Sequence, residues 1–140
     1  MTHQRTRIRH AVAALLAPIA PVSVNRDDPL QAGELLPCLA VFTPGEGVQE
    51  ITNGRRQLRT MELVVDGYAR AGAELDDRLD ALALDIEARI AAGQKLGGLA
   101  DKAVLVRTVT DRVTGGELRA GVVRLTFALT YQTAFGQPDA

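Results

Sequence analysis

Over Leu118 to Thr133 the side chains change character at almost every step, with Val123, Leu125, Phe127, Leu129 and Tyr131 set against Arg124, Thr126, Ala128 and Thr130. A period of two marks a strand with one apolar face, and that face has to be covered by another layer. Ala103 to Val113 reads as a second strand, joined to the last across a hairpin turn at Gly115-Gly116. Upstream, Met61, Leu63 and Val65 alternate with Glu62, Val64, Asp66 and Tyr68, again giving one covered face and one partly wet face.

The covering layer is written in a different period. From Glu74 to Ala92, Leu75, Leu79, Leu82, Ile86 and Ile90 recur at spacings of three and four, which lines one side of a helix. Glu74, Asp76, Asp77 and Asp80 place negative charge at its N-terminal turns, where the helix dipole favours it, and Gly93 stops it. A first helix is expected over Gln4 to Ala17, with Ile8, Val12, Leu15 and Ile19 on its apolar stripe, Ala11 and Leu16 widening it, and Pro18 ending it. Arg5, Arg7 and Arg9 crowd the end of that helix where cations are disfavoured, so either its first turn frays, the simpler expectation, or acidic groups from another surface compensate.

Between the helices, Val22-Ser23-Val24 reads as a short strand, Asn25 to Gly33 as a loop, and Cys38 to Thr43 as a strand apolar enough to be buried on both faces. Pro44-Gly45-Glu46-Gly47 breaks that strand. Asn53-Gly54 is the pair favoured in a two-residue hairpin turn, but its flanks (Val48 to Thr52 and Arg55 to Arg59) are mostly polar. Such a hairpin buries little and is expected to project as an arm. Gln94 to Asp101 reads as a loop, and residues 134–140 as a flexible tail. The whole is one domain over residues 1–140. Its expected class is α+β: a mostly antiparallel sheet of four to five strands with two helices packed on one face.

Composition narrows the chemistry. A net charge of −1 creates no global field toward nucleic acid or membrane. The apolar run from Ala11 to Ala17 is too short to span a bilayer and runs on into Pro18 and Pro21, so a cytoplasmic helix is expected. One serine (Ser23), one cysteine (Cys38) and two histidines (His3 and His10) do not supply a nucleophile, base and orienting group, nor the ligands of a zinc site. Cys38 sits in an apolar run, as a small buried hydrophobe would. The acidic cluster Asp76, Asp77 and Asp80 reads as the solvated face of a helix. Gly97-Gly98 and Gly115-Gly116 lack the pattern of a phosphate loop. Arg55, Arg56 and Arg59 form a basic cluster with no tryptophan to stack on bases. No enzyme, cofactor or metal is expected. What remains is charge segregation: a basic first helix and hairpin against an acidic start of the second helix. If these patches lie on opposite flanks they suit head-to-tail contacts, which close into rings; otherwise they make up an ordinary mixed, solvated surface.

The order of these segments resembles the tail terminator, or minor tail protein U-like, family of long-tailed phages, prophages and gene transfer agents. The resemblance runs through Arg5 to Leu16, Leu36 to Phe42, Arg59 to Val65, Leu75 to Glu87 and Leu125 to Tyr131. It implies a structural virion protein: a homo-hexameric ring on the head-proximal end of the tail tube, assembled in the bacterial host cytoplasm. Such a ring stops polymerisation of the tail tube protein and joins tail to head through a head-completion or connector protein. DNA is then only cargo passing through its channel, and no membrane is involved. The candidate assembly residues, chosen for charge and exposure, are Glu46, Glu50, Arg55, Arg56, Arg59, Asp76, Asp77 and Asp80. Two alternatives stand beside this one: a head-completion or connector subunit, and a small α+β ligand-binding regulatory domain.

Overall fold

Residues 2–24, 36–51, 55–70, 72–113 and 120–140 are described by a computed structural model of the chain. The loop expected over Asn25 to Gly33 and the turns expected at Asn53-Gly54 and Gly115-Gly116 lie outside the described residues. The elements run α1 (Gln4–Leu16), β1 (Val22–Ser23), β2 (Cys38–Phe42), β3 (Glu46–Ile51), β4 (Arg56–Arg70), α2 (Leu75–Ala92), a 3₁₀ turn (Leu96–Gly98), β5 (Lys102–Val113) and β6 (Ala120–Ala134).

The sheet is organised on β4. One edge of this strand pairs with β6 along its whole length, from Arg56 opposite Ala134 to Arg70 opposite Ala120. Its other edge is shared end to end, with β3 against Arg56 to Met61 and β2 against Val64 to Tyr68. Beyond β6 lies β5, whose register slips at a bulge between Leu105 and Arg107, and β1 runs parallel to β2 at the opposite margin. The α+β class stands as expected. The strand number does not: the described residues form six, because β3 and the two-residue β1 both enter the hydrogen-bonded ladder.

The polar hairpin is likewise corrected. It does not project as a free arm, since Arg56 to Arg59 hydrogen-bond to β3 on one side and to β6 on the other. Backbone pairing needs no apolar side chains, so a polar segment can extend a sheet past the end of its core.

Both helices cover the same face. Leu75, Leu79, Leu82, Ile86 and Ile90 of α2 are buried, and with Ile8, Val12 and Leu16 of α1 they form one core over Met61, Leu63, Val65, Val123, Leu125, Phe127 and Leu129. Burial of each such side chain is worth roughly 1.5–3 kcal/mol, so this interlayer supplies most of what holds the fold together. In α1 the buried stripe is Ile8, Val12 and Leu16, while Leu15 and Ile19 pack only at its margin.

The opposite face of the sheet is less wet than alternation suggested. Val64 and Asp66 are buried there. Arg124 donates to both carboxylate oxygens of Asp66, at 2.8 and 2.9 Å, and lies 5.3 Å above the centre of the Phe42 ring. A planar guanidinium satisfies the carboxylate and the aromatic face together, which a lysine would not.

The first turn of α1 does not fray. His3 Nδ1 accepts the Arg5 N–H at 2.9 Å, and Arg9 Nη1 donates to Thr43 Oγ1 at 3.1 Å. Arg5 pairs with Glu46, which supplies the negative charge that the first turn of the helix lacks. Residues 135–140 turn back on this helix, where Gln4 donates its N–H to Pro138 O at 2.9 Å and Arg7 Nη1 donates to Asp139 O at 3.3 Å, and on the start of β4, where Phe135 donates its N–H to Arg55 O at 3.2 Å.

Candidate assembly surface

The eight charged residues singled out above fall into three groups. The first is internal. Glu46 does not lie in a strand-breaking loop; it opens β3 opposite Met61, so its side chain points to the helix-covered face. Only 4% of that side chain is exposed. Its Oε2 accepts from Arg5 Nη1 at 2.9 Å and from Arg59 Nη1 at 2.8 Å, and its Oε1 accepts the Tyr131 hydroxyl.

Arg59 is itself nearly enclosed, with its remaining donors directed to Thr133 Oγ1 at 3.0 Å and Gln57 Oε1 at 3.2 Å. Glu46 and Arg59 are therefore removed from the candidate surface. Their charges are spent on one another and on α1. Burial, then the hydrogen bond to Glu46, pushes the Tyr131 hydroxyl well above its ordinary range. Sequence spacing gave no sign of this cluster, because its members lie 13, 41 and 85 residues from Glu46.

The second group is Glu50, Arg55 and Arg56, all exposed, where β3 ends and β4 begins. The third is Asp76, Asp77 and Asp80, exposed on the first turns of α2. Asp76 and Asp77, with Glu74 and with Arg112 from β5, line a shallow polar hollow of about 240 Å³. The structure does not bring the second and third groups together. Arg56 and Arg70 are the two ends of β4, about 45 Å apart for a strand of this length, and α2 starts five residues after Arg70. Within one copy the basic and acidic groups are thus held at opposite ends of the central strand.

The residues weighed for chemistry are dispersed. His3 caps α1, Ser23 lies in β1, and Cys38 is buried in β2. Burial, and then the neighbouring Arg5 charge, lower the affinity of His3 for a proton, in keeping with its role as an acceptor. Among the described residues no group of three or more His, Cys, Asp and Glu side chains is arranged to hold a metal ion. No described helix is long and apolar enough to cross a membrane.

A separate, apolar hollow of about 440 Å³ opens against α2. It is lined by the apolar Leu36, Pro37, Ala69, Ala81 and Leu82 together with Arg70 and Arg78. Composition and periodicity did not point to it, since its lining comes from the two residues before β2, the end of β4 and α2, which meet only in the fold.

No protein-family model matches the chain, and no curated protein matches it. Among solved structures, a chain of the virion of a native gene transfer agent particle overlaps 93% of this chain and 90% of its own length, at 15% identity and a TM-score of 0.43.

Proposed function

We propose that the chain is a non-catalytic assembly subunit of a phage-type particle, a tail terminator. It forms a homo-oligomeric ring on the head-proximal end of the tail tube, stops growth of the tube and joins tail to head. One observation carries this reading: a basic group (Arg55, Arg56) at the start of β4 and an acidic group (Asp76, Asp77, Asp80) on the turns of α2 that follow its far end. Neither group can satisfy the other inside one copy, whereas two copies in head-to-tail order bring them together. Such contacts use different surfaces on the two partners and propagate until a ring closes. The order of segments, similar to that of tail terminators, agrees with this role.

Native mass spectrometry of the full chain, alone and with tail tube protein, tests it. A closed ring that binds the end of assembled tubes and halts their elongation is the expected result. A two-fold dimer that leaves tube growth unchanged would overturn the assignment.

A further inference from the structure

The sheet ends on a strand with an open edge. β5 pairs with β6 on one side, and among the described residues no strand pairs with it on the other. An open row of N–H and C=O groups recruits further strands, so edges are commonly blunted by lysine, proline, a bulge or a covering segment. In β5 the bulge lies between Leu105 and Arg107, and the one lysine is its first residue, Lys102. From Arg107 to Val113 the edge carries no lysine, proline or glycine. Arg107 to Arg112 are all exposed. Successive side chains point to opposite faces, so unbroken exposure means that neither face of this half of β5 is covered.

The charges on this half-strand are complementary to a copy of themselves. Arg107, Val109 and Asp111 share the face turned away from the helices, since Val109 stands opposite Arg124, which reaches Asp66 on that side. Arg107 and Asp111 lie about 13 Å apart along the strand, too far to meet within one chain. Asp111 accepts the N–H of Arg112 at 2.8 Å, and no ion pair among the described residues engages either side chain. In an antiparallel pairing of two β5 strands, a two-fold axis at Val109 sets that residue against its own mate. Arg107 then falls opposite Asp111 on both sides of the axis, and Thr108 opposite Thr110 on the other face. Opposite charges directly across a strand pair stabilise it, and like charges destabilise it. Axes centred on Arg107, Asp111 or Arg112 oppose like charges. Axes centred on Thr108 or Thr110 leave Arg107 and Asp111 without a charged mate.

We infer that a second copy of this chain pairs with the open edge of β5, antiparallel about a two-fold axis at Val109, joining the two sheets into one. Residues 107–111 of each copy carry the contact, clear of the bulge. Main-chain hydrogen bonds supply the attraction, and the two Arg107–Asp111 pairs fix the register. A contact that uses the same surface on both partners closes on itself and grows no further. It therefore gives the edge a mate in the free protein and bars other strands from it. This pairing goes beyond the head-to-tail reading: it uses other residues and another symmetry, and neither contact needs the other.

Sedimentation velocity of the full chain over a wide concentration range tests the inference, using Arg107→Asp, Asp111→Arg, an equimolar mixture of the two, and the double swap Arg107→Asp/Asp111→Arg. Both positions are exposed, so none of these changes enters the core. Each single variant sets like charges against one another twice and is expected to pair at least about tenfold more weakly than the parent. The mixture restores opposite charges at both places in a mixed pair, and the double swap restores them in a pair of identical chains. Both should return to the parent's association, a rescue that a contact elsewhere on the surface would not produce. Single variants that associate like the parent overturn the inference, as does a mixture or double swap that stays as weak as the singles. If Arg55→Glu/Arg56→Glu disperses the assembly while the β5 variants behave as the parent, only the β5 pairing is wrong. The reverse result overturns the head-to-tail reading alone, and a parent that stays monomeric throughout overturns both.

Discussion

Arg59 Nη1 lies 2.8 Å from Oε2 of Glu46, and the two side chains are 11% and 4% exposed. An ion pair this enclosed is costly to assemble and costlier to break, since removing one partner strands the other charge away from water. Glu46→Ala is therefore expected to destabilise the fold by about 3 kcal/mol, and Arg59→Ala by a similar amount. Arg5, on the same carboxylate but 39% exposed, should cost about 1 kcal/mol or less on truncation. Urea unfolding monitored by circular dichroism checks the order. A loss for Arg5→Ala equal to that for Glu46→Ala would contradict it.

The Asp66–Arg124 pair answers to geometry as much as to charge. Arg124→Lys keeps the charge but loses the two-oxygen grip on Asp66 and the flat contact with Phe42, and should cost about 1 kcal/mol. Arg124→Ala leaves a buried carboxylate with a partner removed and should cost about 2 kcal/mol. Equal midpoints for the lysine variant and the parent would show that the fork does not matter.

Tyr131 sets an alkaline limit. Its hydroxyl titrates above its ordinary value near 10 because burial and the bond to Glu46 favour the neutral form. The unfolded chain ionises first as pH rises, so the associated stability is complete below about pH 10 and is lost as pH climbs from there toward the raised folded value. Thermal melts at stepped pH should show a decline starting near pH 10 that Tyr131→Phe removes. The phenylalanine variant pays for this at neutral pH with the lost hydrogen bond, about 1 kcal/mol.

Charge reversal at the β4 start tests the proposed ring. Arg55→Glu with Arg56→Glu should weaken self-association by tenfold or so while the monomer keeps its spectrum and melting point, since both residues are exposed. Adding Asp76→Arg and Asp77→Arg should restore association, and raised salt should weaken the parent's. Unchanged sedimentation of the double arginine variant would rule these residues out of the contact.

The elements most legible in the sequence were those whose reason is local. The stripe of α2 is buried at Leu75, Leu79, Leu82, Ile86 and Ile90 as its spacing predicts, and the alternation of β6 from Val123 to Tyr131 faces the core as written. Glu46 was illegible for the opposite reason. It follows Pro44 and Gly45, which end a strand, and nothing within ten residues shows that Arg59, Arg5 and Tyr131 will converge on it. Fraying of α1 was expected because its compensating carboxylate is 41 residues away. The basic and acidic groups were visible as composition, but their separation depends on β4 being one uninterrupted strand. Only the ladder with β6 establishes that.

That ladder also governs timing. Its pairs join residues between 50 and 78 positions apart, from Arg70 with Ala120 to Arg56 with Ala134. The β3–β4 and β5–β6 hairpins and α2 are local and can form early, whereas closing the central ladder carries the loop-closure cost of a whole intervening helix and strand. Until it closes, the two ends of β4 have no fixed separation. On the head-to-tail reading proposed above, subunits would become competent to meet one another only after this long-range closure, which would keep half-made chains out of a growing ring.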